Sequence, residues 1–263
     1  MTAGVLGEIL ANTRGEVARQ RASRPLAELR EACRNLPPAR DFEAALRPAP
    51  GRRVAIIAEV KRASPSKGVL AAALDPVAQA RAYAGAGAAA VSVLTDAKYF
   101  RGSLDDLIAV RAAVAAPVLR KEFIVDEYQL WEARAAGADA ALLIVAALDP
   151  VVLRDLFHAA KGLGLGTLVE AHTEAELDAA LTLGAPVIGI NNRDLRTLTT
   201  SLEPSLALLP RVPPGPVAVS ESGLHARADV ERVVAAGAHA VLVGEALVRA
   251  ADVAAAVREL SLA

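Results

Sequence analysis

One cysteine, Cys33, stands in the 263-residue chain, so no internal disulfide can form. It shares an apolar stripe with Leu26, Leu29 and Leu36 and has no histidine near it in sequence, which makes it a buried, reduced core thiol rather than a nucleophile. Aromatic residues are scarce, at 3% of the chain, and no basic run is interleaved with them, which argues against a nucleic-acid surface. Neither sign of charge is in excess: 29 Lys and Arg face 30 Asp and Glu. No uncharged apolar run approaches the roughly 18 residues that suggest a membrane span. The first residues carry Glu8 and Glu16 within an amphipathic pattern of Val5, Ile9 and Val17, unlike a secretion signal or a transit peptide. The expectation is a soluble, cytoplasmic protein with no nucleic-acid and no membrane partner. The histidines, at 158, 172, 225 and 239, lack metal-ligand spacing, and there is no GxSxG, Walker loop or HExxH. GLGLGT (162–167) precedes an apolar run instead of following one, so it reads as a helix-to-strand turn and not as a dinucleotide loop.

What is abundant is apolar residue, 54% of the chain and rich in Ala and Val. Residues 1–50 read as two helices and a linker, the second helix starting at Ser23 and Pro25 and stopping at Pro37–Pro38. RPAPGRR (47–53) is a loop. From Val54 onward, eight short apolar runs alternate with Ala-rich helical segments: 54–60, 89–95, 117–123, 139–145, 165–170, 186–191, 216–221 and 239–244. Their near-continuous apolar character predicts parallel strands buried on both faces. The intervening helices end alike, in AGAGAA (84–89), AAGADA (135–140), LTLGAP (181–186) and AAGAHA (235–240), where glycine can take a left-handed cap. Eight such units predict an α/β fold, a (β/α)8 TIM barrel over 1–263 as one domain, with 1–50 as an N-terminal helical extension. An open doubly wound sheet is the alternative.

Chemistry in such barrels sits at the C-terminal strand ends. There the sequence places Glu59 and Lys61, Lys121, Glu170, Asn191 and Arg193, and Glu221 with Ser222. Glu59 and Lys61 are two apart and share a face. One charged strand end can be an ordinary ion pair; convergence of five on one mouth points to a site. Gly223 and Gly244 follow the last two runs, where barrels commonly bind phosphate through backbone N–H groups. The loops SPSKG (64–68) and DAKYFRGS (96–103) leave the same end and suit lids. Tyr128 and Trp131 read as helix packing residues, and His239 as a structural residue at the barrel bottom.

These residues lie in IIAEVKRASPSKG (56–68), VSVLTDAKYFRGSLDDL (91–107), PVLRKEFIVDEYQL (117–130), LVEAHTEAEL (168–177), IGINNRDL (188–195) and VSESGL (219–224), and the sequence resembles the indole-3-glycerol-phosphate synthase family along essentially its whole length. The resemblance implies a carboxy-lyase of tryptophan biosynthesis, with no cofactor and no metal, acting on a small phosphorylated substrate. It implies catalytic roles for Lys121, Glu170, Glu59, Lys61 and Asn191, and substrate contacts from Arg193, Glu221 and Ser222. Phe100 and Phe123 are the expected walls for the substrate ring. Ser64, Gly223, Gly244 and Glu245 are the expected phosphate contacts, Glu245 through its N–H alone because a carboxylate repels the dianion. Glu122 and Ser220 depart from the commoner Asp and Ala, and both are expected to point away from the mouth. Desolvation is expected to lower the Lys121 pKa, and apolar walls to raise that of Glu170, its general base or acid partner across the barrel. Two rivals remain: a related isomerase barrel, which needs a catalytic Cys where only Cys33 exists, and a barrel that binds a phosphorylated ligand without turnover. With no long exposed apolar stripe, a monomer is expected.

Overall fold

The computed structural model describes residues 4–48 and 53–262; positions 49–52 of the RPAPGRR loop lie outside them. Eight parallel strands close into a barrel in chain order. They are β1 (Ala55–Val60), β2 (Ala90–Leu94), β3 (Val118–Lys121), β4 (Ala140–Ile144), β5 (Gly166–Ala171), β6 (Val187–Asn191), β7 (Val217–Glu221) and β8 (Ala240–Val243). Ile57 of β1 stands beside both Ala90 of β2 and Leu242 of β8, so the sheet has no open edge and the doubly wound alternative falls. The strands lie on the eight runs the sequence marks, to within two residues at either end. The largest difference is in β3, which stops at Lys121 where the apolar run continues to Phe123.

Parity divides the strand residues into two cores. Ile56, Ala58, Val60, Val91, Val93, Val118, Ile188, Ile190, Val241 and Val243 pack outward against helix residues such as Tyr83, Leu107, Leu130 and Val233. Ile57, Ala90, Leu119, Leu142, Leu168, Val219 and Leu242 fill the interior. Successive side chains on a strand point to opposite faces, so the interior row continues upward at every second residue. Gly87, Gly137, Gly184 and Gly237 have positive φ at the four shared helix ends, and so does Gly164 in GLGLGT, which is a helix-to-strand turn.

The N-terminal segment holds three helices, not two: α1 (Val5–Ser23), α2 (Leu26–Cys33) and the short α3 (Phe42–Ala45). Ser23 does not start α2; it is the last residue of α1, and its Oγ donates to Gln20 O. Leu36 lies beyond the end of α2. Cys33 is half-buried instead of fully buried, with Sγ 3.6 Å from Trp131 O, and burial pushes its thiol pKa up. Val17 of α1 and Leu29 of α2 pack on Tyr128, with Trp131 beside them. Phe42 and Leu46 join the barrel interior at its lower end, and Leu6 and Ile9 join it at the mouth. His239 Nδ1 accepts from Ala218 N–H at the foot of β8, the structural role its position suggests. Among the described residues no helix is long and apolar enough to cross a membrane.

Asp139, fully buried at the start of β4, ties this arrangement together. It accepts from Arg40 N–H (2.7 Å) and Val118 N–H (2.8 Å) and pairs with the Arg111 guanidinium (2.8 Å). Arg40 in turn donates to Val114 O and Ala116 O. Replacing Asp139 with Ala strands the Arg111 cation and two N–H donors, so it should destabilise the fold by about 3 kcal/mol. The urea midpoint is the measurement; an unchanged midpoint would show that the cluster contributes nothing.

Candidate active site

At the C-terminal ends of the strands the interior row turns from apolar to ionisable. Above Ile57 comes Glu59, above Leu119 comes Lys121, above Leu168 comes Glu170, and above Val219 comes Glu221. Asn191 ends β6 on the same row. One cavity is lined by Glu59, Lys61, Lys121, Glu170 and Asn191 together with Arg193, Glu221, Ser222, Phe100, Phe123, Ser64, Gly223, Gly244 and Glu245. The fold thus gathers every candidate residue, from positions 59 to 245, at one mouth.

Lys121 is central. Its Nζ lies 3.6 Å from Glu170 Oε2 and 3.7 Å from Glu221 Oε2, and its side chain keeps 15% exposure toward the opening. Both separations exceed a hydrogen bond, so the attraction is Coulombic. Glu170 Oε1 receives Asn191 Nδ2–H at 2.9 Å, whereas Glu170 Oε2 and both Glu221 oxygens are buried without a hydrogen-bond donor. On the opposite wall Lys61 Nζ donates to Glu59 Oε1 at 2.5 Å. The Arg193 guanidinium makes no contact with Glu170; it donates to Ser66 Oγ (2.8 Å) and Leu198 O (3.1 Å), while the Arg193 backbone N–H donates to Asn191 Oδ1 (2.9 Å).

Two glycines make room for this cluster. A Cβ on Gly189 of β6 would lie 2.0 Å from Glu221 Oε1, and one on Gly244 would lie 2.5 Å from Glu59 Oε1. Sequence spacing marks Gly244 for phosphate and says nothing of Gly189, because the conflict is with a side chain one strand away.

The charges set the protonation states. Burial favours neutral Lys121, yet Glu170, Glu221 and Glu59 outweigh it and raise its pKa. This reverses the lowered value expected from desolvation alone. Beside Lys121 it is the Glu221 carboxyl that is pushed up to about 8, by burial and by the neighbouring Glu170 charge, with Lys121 opposing. Burial also acts on Glu59, but Lys61, Lys121 and Arg193 prevail and hold it below the usual carboxylate range.

Phe100 and Phe123 stand with ring centroids 6.3 Å apart, tilted by 38°, on one side of the opening. Asp96 caps the short helix Ala97–Phe100 through Tyr99 N–H and Phe100 N–H, which fixes Phe100. The 64–68 loop is a hairpin turn between Ala63–Ser64 and Gly68–Val69. Ser222 and Gly223 both take left-handed backbone, φ 67° and 74°, and Asn192 Nδ2 holds Ser222 O at 3.0 Å. Gly244 opens the turn Glu245–Val248, with the Glu245 carboxylate 3.4 Å from Arg249. Ser220 stays out of the mouth, its Oγ accepting from Asn192, but Glu122 lines the cavity, contrary to expectation, with its carboxylate accepting from Thr95 Oγ1 and Phe123 N–H. Sequence reasoning misses Ser66, Asp96, and the apolar wall of Leu6, Ile9, Leu94, Leu142, Ile144 and Leu242. The amphipathic pattern of α1 carries Ile9, but nothing local says where that helix docks.

The indole-3-glycerol phosphate synthase family profile matches residues 6–260. The chain is 51% identical over 258 residues to the indole-3-glycerol phosphate synthase of Laribacter hongkongensis, covering 97% of this chain and 98% of the relative. It is 50% identical to that of Mycolicibacterium vanbaalenii, covering 98% and 94%. Among solved structures it is similar in fold to 3-hexulose-6-phosphate synthase from Salmonella typhimurium, with TM-score 0.64, 16% identity, and coverage of 80% of this chain and 97% of that one. Thiamine phosphate pyrophosphorylase from Pyrococcus furiosus is similar at TM-score 0.60 and 17% identity, covering 84% and 96%.

A carboxyl raised from about 4.3 in the unfolded chain to about 8 in the fold binds more protons folded than unfolded across that window. Its contribution therefore makes stability fall as pH rises through the window. The raised Lys121 pKa acts only above the ordinary lysine value of 10.5, outside that range. Glu221→Gln should thus gain thermal stability relative to the parent on going from pH 5 to pH 9. Melting curves at the two pH values test this; a variant-minus-parent difference that is independent of pH, or that moves against the variant between pH 5 and pH 9, contradicts the raised carboxyl.

Proposed function

The chain belongs to the indole-3-glycerol phosphate synthase family, and from that premise we propose how its mouth performs the reaction. The enzyme is a carboxy-lyase of tryptophan biosynthesis. It closes the ring of 1-(2-carboxyphenylamino)-1-deoxyribulose 5-phosphate with loss of carbon dioxide and water. The observation that carries the mechanism is the Lys121 ammonium held between Glu170 and Glu221, across from the Glu59–Lys61 pair.

Lys121 is the acid of ring closure. As the aryl carbon bearing the carboxylate attacks the substrate ketone, a carbon–carbon bond forms and the ketone oxygen takes a proton from the ammonium. A raised pKa suits this role, because the developing alkoxide is a stronger base than the amine and the ammonium stabilises it throughout. Carbon dioxide then leaves, and the electrons of its bond restore the aromatic ring. Dehydration needs a base for a proton from the neighbouring methylene and an acid for the departing hydroxyl. Glu170, oriented by Asn191, and the Glu59–Lys61 pair are the groups available for it. Glu221, able to hold a proton near neutrality, keeps the site from accumulating a further negative charge and with Ser222 contacts the substrate.

Phe100 and Phe123 together wall the substrate ring on one side, and Arg193 pairs with its carboxylate. The phosphate sits against Ser64 and the N–H groups of Gly223, Gly244 and Glu245, with no part for the Glu245 carboxylate. The loops 64–68 and 96–103 exclude water during turnover. The whole chain acts as one unit in the cytoplasm and as a monomer, with the N-terminal extension as part of the mouth wall. The lining by Leu6 and Ile9 supports the extension's role, and the small number of exposed large apolar residues among the described ones, Val69, Ile108, Val151 and Val152, supports the monomer.

Product fluorescence, followed without added cofactor, tests the assignment. Lys121→Ala should lower kcat by at least about 100-fold while circular dichroism keeps the folded signature of the parent; parental turnover would move the acid to Lys61. Glu245→Ser, which removes a negative charge beside the dianion and adds a hydroxyl donor, should lower KM about threefold with kcat unchanged. A raised KM would place the phosphate elsewhere.

A further inference from the structure

We propose that His172 is a positioning residue, which sets Asn191 and, through it, Glu170. The inference rests on the reading that Asn191 and Glu170 act in turnover. His172 lies two residues after Glu170, just past the end of β5 at Ala171. The backbone pairing of β5 with β6 stops at Ala171 beside Ile190, one residue short of Asn191. Beyond it the imidazole supplies the bridge, with Nδ1 2.6 Å from Asn191 O. A carbonyl can only accept, so Nδ1 carries the proton and the bond fixes the tautomer.

From Asn191 the chain of contacts runs inward. Asn191 Nδ2–H reaches Glu170 Oε1 at 2.9 Å, while its Oδ1 receives Arg193 N–H. With Oε1 held, the other oxygen of Glu170 is the one turned toward Lys121, at 3.6 Å. His172 is itself anchored, its backbone N–H donating to Glu176 Oε2 at 2.8 Å. Both strand ends that carry the Glu170–Asn191 pair are therefore stapled by one ring. On its other side Asn191 stays in register with Glu221 of β7, so loss of the staple frees only the edge of β6 that faces β5, and the Asn191–Glu170 carboxylate pair can turn away from Lys121 with no loss of substrate contact.

His172 does not line the mouth. It lines a side chamber of about 200 Å³ behind Glu170, shared with Ala146, Asp194 and Arg196. Because the ring borders open space and not close-packed core, its truncation should leave the fold intact. A role in positioning is then separable from one in stability.

Asparagine and glutamine distinguish the two ring nitrogens: the Asn amide nitrogen falls near Nδ1 and the Gln amide nitrogen near Nε2. His172→Ala should lower kcat about tenfold, the scale of one lost hydrogen bond, with KM changed less than about twofold and melting close to the parent. His172→Asn should recover most of that loss, and His172→Gln should not. In an Asn191→Ala background, His172→Ala should have less than about a twofold further effect, because the residue it positions is gone. Parental kcat in His172→Ala, or equal recovery by Asn and Gln, overturns the proposal. Should His172→Ala fail to fold, the Asn and Gln variants decide it. If Asn191→Ala is slow while His172→Ala is not, the His172 proposal alone falls. If Asn191→Ala turns over like the parent, the reading of Asn191 falls with it.

Discussion

The mouth is organised by one buried ammonium. Lys121 faces Glu170 and Glu221 directly and Glu59 at longer range, and its charge opposes the burial penalty at Glu221 and Glu59. The attraction is mutual: the carboxylates keep Lys121 protonated despite burial. One carboxyl more than the cations can satisfy is then left, and it is Glu221 that takes the proton. A site built for stability would tie these oxygens to donors. Here three of them have none, the arrangement that the proposed contact with substrate and transfer of protons requires.

The barrel supplies this arrangement through a simple geometric rule. In a closed parallel sheet each strand sends every second residue inward, so the apolar filling ends in a ring of side chains at the top. Steric clearance comes from Gly189 and Gly244, whose missing Cβ atoms leave space for the Glu221 and Glu59 carboxylates. The extension contacts both ends of the barrel interior, with Phe42 below and Leu6 and Ile9 above. It is therefore part of the site's wall as well as a cover for the barrel's foot.

Support for the Lys121 loop lies on its outward side. Arg120, buried under the helix Glu127–Ala135, donates to Glu132, Thr95 Oγ1 and Gln129 O. Thr95 donates to Glu122, which accepts from Phe123 N–H, and Gln129 holds both Val125 N–H and Phe123 O. A fully bonded polar network of this kind is rigid, and it fixes the backbone on both sides of Lys121 and beneath Phe123. The Glu122 carboxylate, where Asp is commoner, is bonded into this network at the edge of the mouth.

Much of the molecule was legible in the sequence because it depends on local rules. Strand identity follows from β-branched runs, the four turns from glycine after helices, and the shared face of Glu59 and Lys61 from the two-residue period of a strand. The same period marks Lys121, Glu170 and Glu221 as inward residues, and the family motifs name them. What only the tertiary structure decided are quantities set through space. The direction of the Lys121 pKa depends on carboxylates 49 and 100 residues further along the chain and only 3.6 and 3.7 Å away. The need for glycine at 189 depends on Glu221, the bridge from His172 on the register at which β5 stops against β6, and the mouth contacts of Leu6 and Ile9 on where α1 docks. A linear pattern encodes which way a side chain points from its own strand; it does not encode what that side chain will meet, because the partner is set by barrel closure and not by neighbouring residues.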